Sequence, residues 1–189
     1  MDIKKPLIET LINYHFCIYK SNIEDIIDNL DISFSEEISF DNTFDWAFLF
    51  GEEDGQDQKR FLLFDKINDW NYLRWNVQSF DENKQMALAL SQKLNTKVYY
   101  FFIDPWIFTC EWVIAENGKL IKSFFESHDK VFEDEGYLDI ETEIRAKLRE
   151  AGKNEFWEDK FWELYDKICQ PIEIMNSREN IPAIKGELR

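Results

Sequence analysis

Several segments of this chain carry apolar, often aromatic, residues at every second position, and this pattern constrains the fold more than any other feature. Phe34, Ile38 and Phe40, for example, alternate with serine or glutamate residues. A two-residue period is typical of strands that bury one face. Asn117-Gly118 predicts a tight hairpin, because both residues tolerate positive φ. The predicted strands cover residues 34–40, 44–50, 59–65, 71–77, 97–103, 106–115 and 119–126, with a hairpin loop at 51–55.

Helical periodicity is found near both ends of the chain and in one central segment. Leu7, Leu11 and Ile18 recur at helical spacing, and Ser-x-x-Glu capping boxes begin at Ser21 and Ser79. Helices are predicted at residues 6–19, 21–30, 79–94, 139–151 and 154–169. Because alternating βαβ units are lacking, the predicted fold class is α+β. It consists of a mostly antiparallel sheet with N-terminal helices, one central helix and C-terminal helices packed on one face.

The length of 189 residues predicts one domain, assigned to residues 1–175, with a loose tail at 176–189 where apolar residues are sparse. The three cysteines are too few and too scattered for a disulfide framework, which fits a reducing compartment. Residues 1–6 lack the apolar core of a signal peptide, and no apolar run has the roughly 18 residues of a membrane helix. The sequence therefore predicts a cytoplasmic protein that does not contact membranes.

Acidic residues dominate the charge and are concentrated in two stretches. The formal net charge is −16, from 38 acidic and 22 basic residues. Residues 21–58 hold 12 acids and no base, and residues 126–143 hold eight acids against Lys130 alone. Such a chain is repelled by nucleic-acid phosphates and attracted to basic partners. The first stretch is interleaved with core-type residues such as Phe44 and Trp46, so we expect its acids to line a folded surface.

Motifs for catalysis, cofactor binding and metal binding are lacking. The chain has no Cys-x-x-Cys pair, no His-Glu-x-x-His helix, no Gly-x-Ser-x-Gly elbow and no glycine-rich phosphate loop. His15 and Cys17, two residues apart on a predicted helix, would face different directions and make a poor metal pair. His128 lies in an acidic turn, where a surface role is expected. The sequence therefore predicts a protein that is not an enzyme and has no cofactor.

The segment at residues 97–141 carries features of a known family. Residues 110–124 contain a Trp-bearing strand, the turn ending at Gly118 and a basic-aromatic strand; Gly136 then precedes Glu141. This arrangement resembles small immunity-type proteins of bacterial toxin systems, over about a quarter of the chain. Lys122 stands where such relatives often carry Arg. The resemblance implies a protein that binds a cognate toxin and blocks it, often with an acidic surface against a basic cleft.

Charge and resemblance lead to one hypothesis with three alternatives. The hypothesis is an acidic immunity protein that inhibits a basic bacterial toxin. The alternatives are a nucleic-acid mimic that occupies a DNA-binding protein, an enzyme of unrecognised type, and a subunit of a stable complex. The predicted partner-binding residues are acids of the two stretches: Asp41, Asp45, Glu52, Glu53, Asp54, Asp57, Glu133, Asp134 and Glu135.

Overall fold

The computed structural model describes residues 15–39, 58–67, 69–77, 79–104, 108–128, 130–152, 164 and 182–189. These residues form nine strands and three helices. The strands are β1 (His15–Tyr19), β2 (Ile32–Ser39), β3 (Arg60–Ile67), β4 (Trp70–Trp75), β5 (Lys97–Asp104), β6 (Thr109–Glu116), β7 (Lys119–Ser127), β8 (Lys130–Gly136) and β9 (Pro182–Leu188). The helices are α1 (Ile23–Asn29), α2 (Phe80–Lys93) and α3 (Asp139–Glu150). No helix in these ranges is long and apolar enough to cross a membrane.

All nine strands belong to one sheet, in the order β2-β9-β3-β4-β1-β5-β6-β7-β8. Each neighbouring pair is antiparallel. The predicted α+β class with a mostly antiparallel sheet is confirmed. The β6–β7 hairpin is confirmed as well, because Asn117 and Gly118 both adopt positive φ, at 51° and 78°.

The positions of α1, α2 and α3 agree with those predicted from local sequence patterns. The Ser79 side chain accepts a hydrogen bond from the Glu82 backbone N–H at the start of α2, as its capping box predicted. Helices α1 and α3 also lie where they were predicted, although the N-cap residue of α1 is Asn22 rather than Ser21. The strand predicted at 44–50, the loop at 51–55 and the helix at 154–169 lie outside the described residues, apart from the buried, helical Leu164.

Helices cover both faces of the sheet, so the prediction that they pack on one face is wrong. On β5, Tyr100 points into a core that includes Ile26 of α1 and Leu90 of α2. Its neighbour Phe101 points into the opposite core, which includes Ile144 of α3. The physical reason lies in the central strands, since β6 is buried at seven consecutive positions and therefore needs cover on both sides.

The helix predicted at residues 6–19 is wrong for the part that the structure describes. Residues 15–19 form β1, which lies between β4 and β5 near the middle of the sheet. Phe16 and Cys17 face opposite cores, as alternate residues of a strand do. Pairing with two neighbouring strands therefore overrides the helical spacing. His15 and Cys17 are therefore alternate residues of a strand rather than residues on different faces of a helix.

The prediction of a loose tail is wrong for residues 182–188. They form β9, which lies between β2 and β3 inside the sheet. Ala183 of β9 is buried in one core, Ile184 and Leu188 pack against the other, and the strand has backbone pairing on both sides. Gly186 is required for this position, since a Cβ atom there would lie 2.7 Å from the Phe61 ring.

Candidate functional site

The outermost strand on one side of the described sheet is β8, which pairs only with β7 among the described strands. We call residues 130–137 the β8 edge. No strand was predicted here, because acids are depleted in strands and three acids occur in succession. The apolar pair Val131-Phe132 is the sequence feature that could have indicated a strand. It follows a turn at His128, whose φ is 50°.

Two carboxylates of the β8 edge are directed toward α2, where Lys84 binds both. The Lys84 Nζ lies 2.6 Å from Glu133 Oε1 and 3.2 Å from Glu135 Oε2. Ser123 Oγ donates a further hydrogen bond to Glu133. Burial disfavours the charge on Glu133, but the hydrogen bonds from Lys84 and Ser123 outweigh it and hold its pKa below 4.5. Burial likewise opposes the charge on Lys84, yet its two carboxylate partners raise its pKa above 10.5.

On the opposite face of β8, Lys122 joins the edge strand to α3. Its Nζ donates hydrogen bonds to Asp134 and, at 3.3 Å, to the Gly136 carbonyl oxygen. The same Nζ lies 3.4 Å from Glu141 Oε2. Lys122 is only 3% exposed, and Glu141 is also buried. The other carboxylate oxygen of Glu141 has no hydrogen-bond partner within the described ranges.

The β8 edge and the adjoining Glu141 keep a small excess of negative charge, because three lysines (Lys84, Lys122 and Lys130) stand against four carboxylates (Glu133, Asp134, Glu135 and Glu141). Glu135 is the most accessible of these acids, with 63% of its side chain exposed, and Asp134 is also exposed. Of the predicted site, the structure places Glu133 and Glu135 on the α2 face of β8 and Asp134 on its α3 face. The other predicted site residues lie outside the described residues: Asp41, Asp45, Glu52, Glu53, Asp54 and Asp57.

Exposed apolar side chains accompany the acids on the β8 edge. Val131 is half exposed, Phe132 is 56% exposed and Tyr137 is 65% exposed. Phe132 is the extra residue of a β-bulge opposite β7, and its ring stacks on Phe125 at 5.1 Å between centroids. Phe125 in turn stacks on Phe80 at the start of α2. The aromatic ring at the surface therefore rests on the core, and the sequence analysis did not include it in the site.

A second polar cluster lies beneath α2, inside the core. Trp75 Nε1 donates to Asn83 Oδ1 at 2.6 Å, and Asn83 Nδ2 donates to the Tyr100 hydroxyl at 2.9 Å. The Tyr100 hydroxyl donates to Glu111 Oε2 at 2.8 Å. Burial raises the pKa of Glu111 to about 7, and the hydrogen bond from Tyr100 only partly offsets this. Glu111 was not singled out by the sequence, where it is one acid among 38.

This buried cluster does not form a reaction site with the neighbouring cavity. An open cavity of about 500 Å³ lies beside α2, with Trp75, Met86 and Leu188 in its lining. Glu111 is not among the lining residues and is only 4% exposed. A perturbed carboxyl needs access to substrate to act as a general acid or base. The cluster therefore fits a structural role that joins α2 to the sheet.

Comparisons with protein-family models, with curated proteins and with solved structures gave no match. In the part of the chain that the structure describes, no three His, Cys, Asp or Glu side chains group as metal ligands. The candidate site is therefore defined by its own geometry: an acidic edge strand with exposed aromatic residues.

Proposed function

We propose that this protein binds a basic protein partner at the β8 edge and thereby inhibits it, as an immunity protein inhibits a toxin. The observation that carries the proposal is the position of Phe132 and Tyr137, both more than half exposed, beside the accessible carboxylates of Asp134 and Glu135. Aromatic residues supply much of the binding energy at protein interfaces, and complementary charge speeds association.

The two lysines support binding by holding the acids in place before a partner arrives. Lys84 fixes Glu133 and Glu135 from the α2 side, while Lys122 fixes Asp134 from the α3 side. Side chains that are already ordered lose less conformational entropy on binding. Because the acids Glu133, Asp134, Glu135 and Glu141 outnumber Lys84, Lys122 and Lys130, the surface still attracts a basic partner.

The identity of the partner as a toxin rests on the resemblance of residues 97–141 and on the overall charge of −16. A basic cleft, such as that of a nuclease, would be blocked by an acidic surface of this kind. The acids between Asp41 and Asp57 would extend the same electrostatic attraction. A nucleic-acid mimic would act through carboxylates alone, so the exposed apolar residues of the β8 edge favour a specific protein partner over mimicry.

The proposal is tested by capture of the partner with the tagged chain from its own source cells, at low and at high salt. We expect one stoichiometric basic protein, with weaker capture at high salt because charge contributes to association. The released protein should regain a toxic activity that added chain suppresses in proportion to its concentration.

Three results would count against the proposal. Recovery of the chain alone at both salt concentrations would argue against a resident partner. Capture of several unrelated DNA-binding proteins, in place of one, would support the mimic. A captured protein whose activity is unaffected by the chain would remove the inhibitory role and leave only binding.

A further inference from the structure

We propose that the partner contributes an extended, base-rich segment that adds to the sheet as a further strand outside β8. This inference rests on the proposed function, since it specifies how the same edge holds the partner. In a sheet, alternate residues of a strand direct their backbone N–H and C=O groups to each side. At β8 one side pairs with β7, and the other faces no strand among the described residues.

Carboxylates lie on both faces of β8, and this determines the chemistry of the added strand. Glu133 and Glu135 are bound from the α2 face, and Asp134 is bound from the α3 face. Opposite charges on directly paired strand positions are favourable, and like charges are unfavourable. A strand with Lys or Arg on both faces therefore fits. A second copy of this chain, adding its own β8, would place acids against acids.

The apolar residues and the bulge define where the added strand lies. The bulge at Phe132 interrupts regular pairing, so backbone hydrogen bonds would form along residues 133–136. Val131 and Phe132 would then contact apolar side chains at one end of the added segment. Charges and bulges on edge strands normally prevent non-specific pairing. Here they would admit a basic segment and exclude neutral or acidic ones.

The test uses a synthetic peptide of repeated Arg-Arg-Val-Val in three forms, with binding measured at low salt. One form is unmodified, one is N-methylated at every second residue, and one is N-methylated at every residue. All three carry the same charge. Methylation at every second residue leaves one backbone edge intact, so we expect binding close to that of the unmodified peptide. Full methylation removes the donors of both edges, and we expect affinity to fall at least roughly tenfold.

Two protein variants test whether the peptide binds at the β8 edge. Glu135→Lys reverses a charge on the β8 edge and should weaken binding by roughly tenfold. Glu37→Lys makes the same change of charge on exposed β2, the opposite end of the sheet, and should leave binding unchanged.

Equal affinity of all three peptides, equal effects of the two variants, or no binding by the unmodified peptide would overturn strand addition. Capture of one basic partner would be unaffected by these results. Its failure would instead refute the proposed function, so the two proposals can fail separately.

Discussion

Replacing Lys122 by Met is expected to lower the free energy of unfolding by about 3–5 kcal/mol, because the change leaves the buried Glu141 carboxylate without its cation. Lys122 is 3% exposed and contacts Asp134, Glu141 and the Gly136 carbonyl. Met has a similar volume, so packing changes little while the charge is lost. The lost contacts are those that connect β8 to α3 and hold the candidate site in place.

The measurement is urea unfolding of both proteins at neutral pH, with Lys20→Met as the matched control. Lys20 forms an exposed ion pair with Asp69 at 3.8 Å, and such pairs contribute little. We expect the control to change stability by less than about 1 kcal/mol. Adding Glu141→Gln to Lys122→Met should recover part of the loss, because it removes one of the uncompensated charges. Similar stabilities of Lys122→Met and Lys20→Met would show that the buried cluster is not structural.

Replacing Glu111 by Gln is expected to make the stability of the protein much less sensitive to pH between 4.5 and 7. In the folded protein burial raises the pKa of Glu111 to about 7, from an ordinary value of 4.5. A raised pKa means that the protonated carboxyl is favoured in the folded state. Its stabilising contribution is therefore complete below pH 4.5 and is lost as the pH rises through about 7. The shift corresponds to about 3 kcal/mol.

Gln keeps an oxygen that accepts the hydrogen bond from Tyr100 and carries no charge at any pH. Relative to the unchanged protein, the variant should therefore gain about 2–3 kcal/mol between pH 5 and pH 8, measured by chemical unfolding at both pH values. Glu116→Gln is the control, because Glu116 is exposed and lies 3.8 Å from Lys97. A difference between variant and parent that is the same at pH 5 and pH 8 would contradict the raised pKa.

The parts of the fold that sequence predicted are those determined locally. Asn117-Gly118 specifies its own hairpin, and Ser79 caps α2 with its own side chain. Strands β1 and β9 were missed because their structure depends on partners far along the chain. His15 pairs with Arg74 and Phe101, and Ala183 pairs with Ile38 and Phe64. The spacing of apolar residues along the chain does not show which distant strands pair with each other.

Only the negative charge of the candidate site was predicted from the sequence. The acids at residues 133–135 were singled out because they lie in an acidic stretch, yet their partners Lys84 and Lys122 come from α2 and β7. A count of charges along the local sequence does not show that these two lysines partly neutralise the acids. Phe132 was missed because no strand was predicted at residues 130–137, and its exposure follows from its place on an outermost strand, where Val131 is exposed as well.

The most direct test of partner binding at the β8 edge is capture by two tagged variants, Phe132→Ser and Phe34→Ser. Both remove an exposed aromatic side chain from an outer strand of the described sheet, Phe132 from β8 and Phe34 from β2 at the opposite end. If Phe132 is an anchor of the interface, its loss should reduce capture of the basic partner at least roughly tenfold, and Phe34→Ser should capture as the parent does. Equal capture by the two variants, or a loss confined to Phe34→Ser, would contradict binding at the β8 edge.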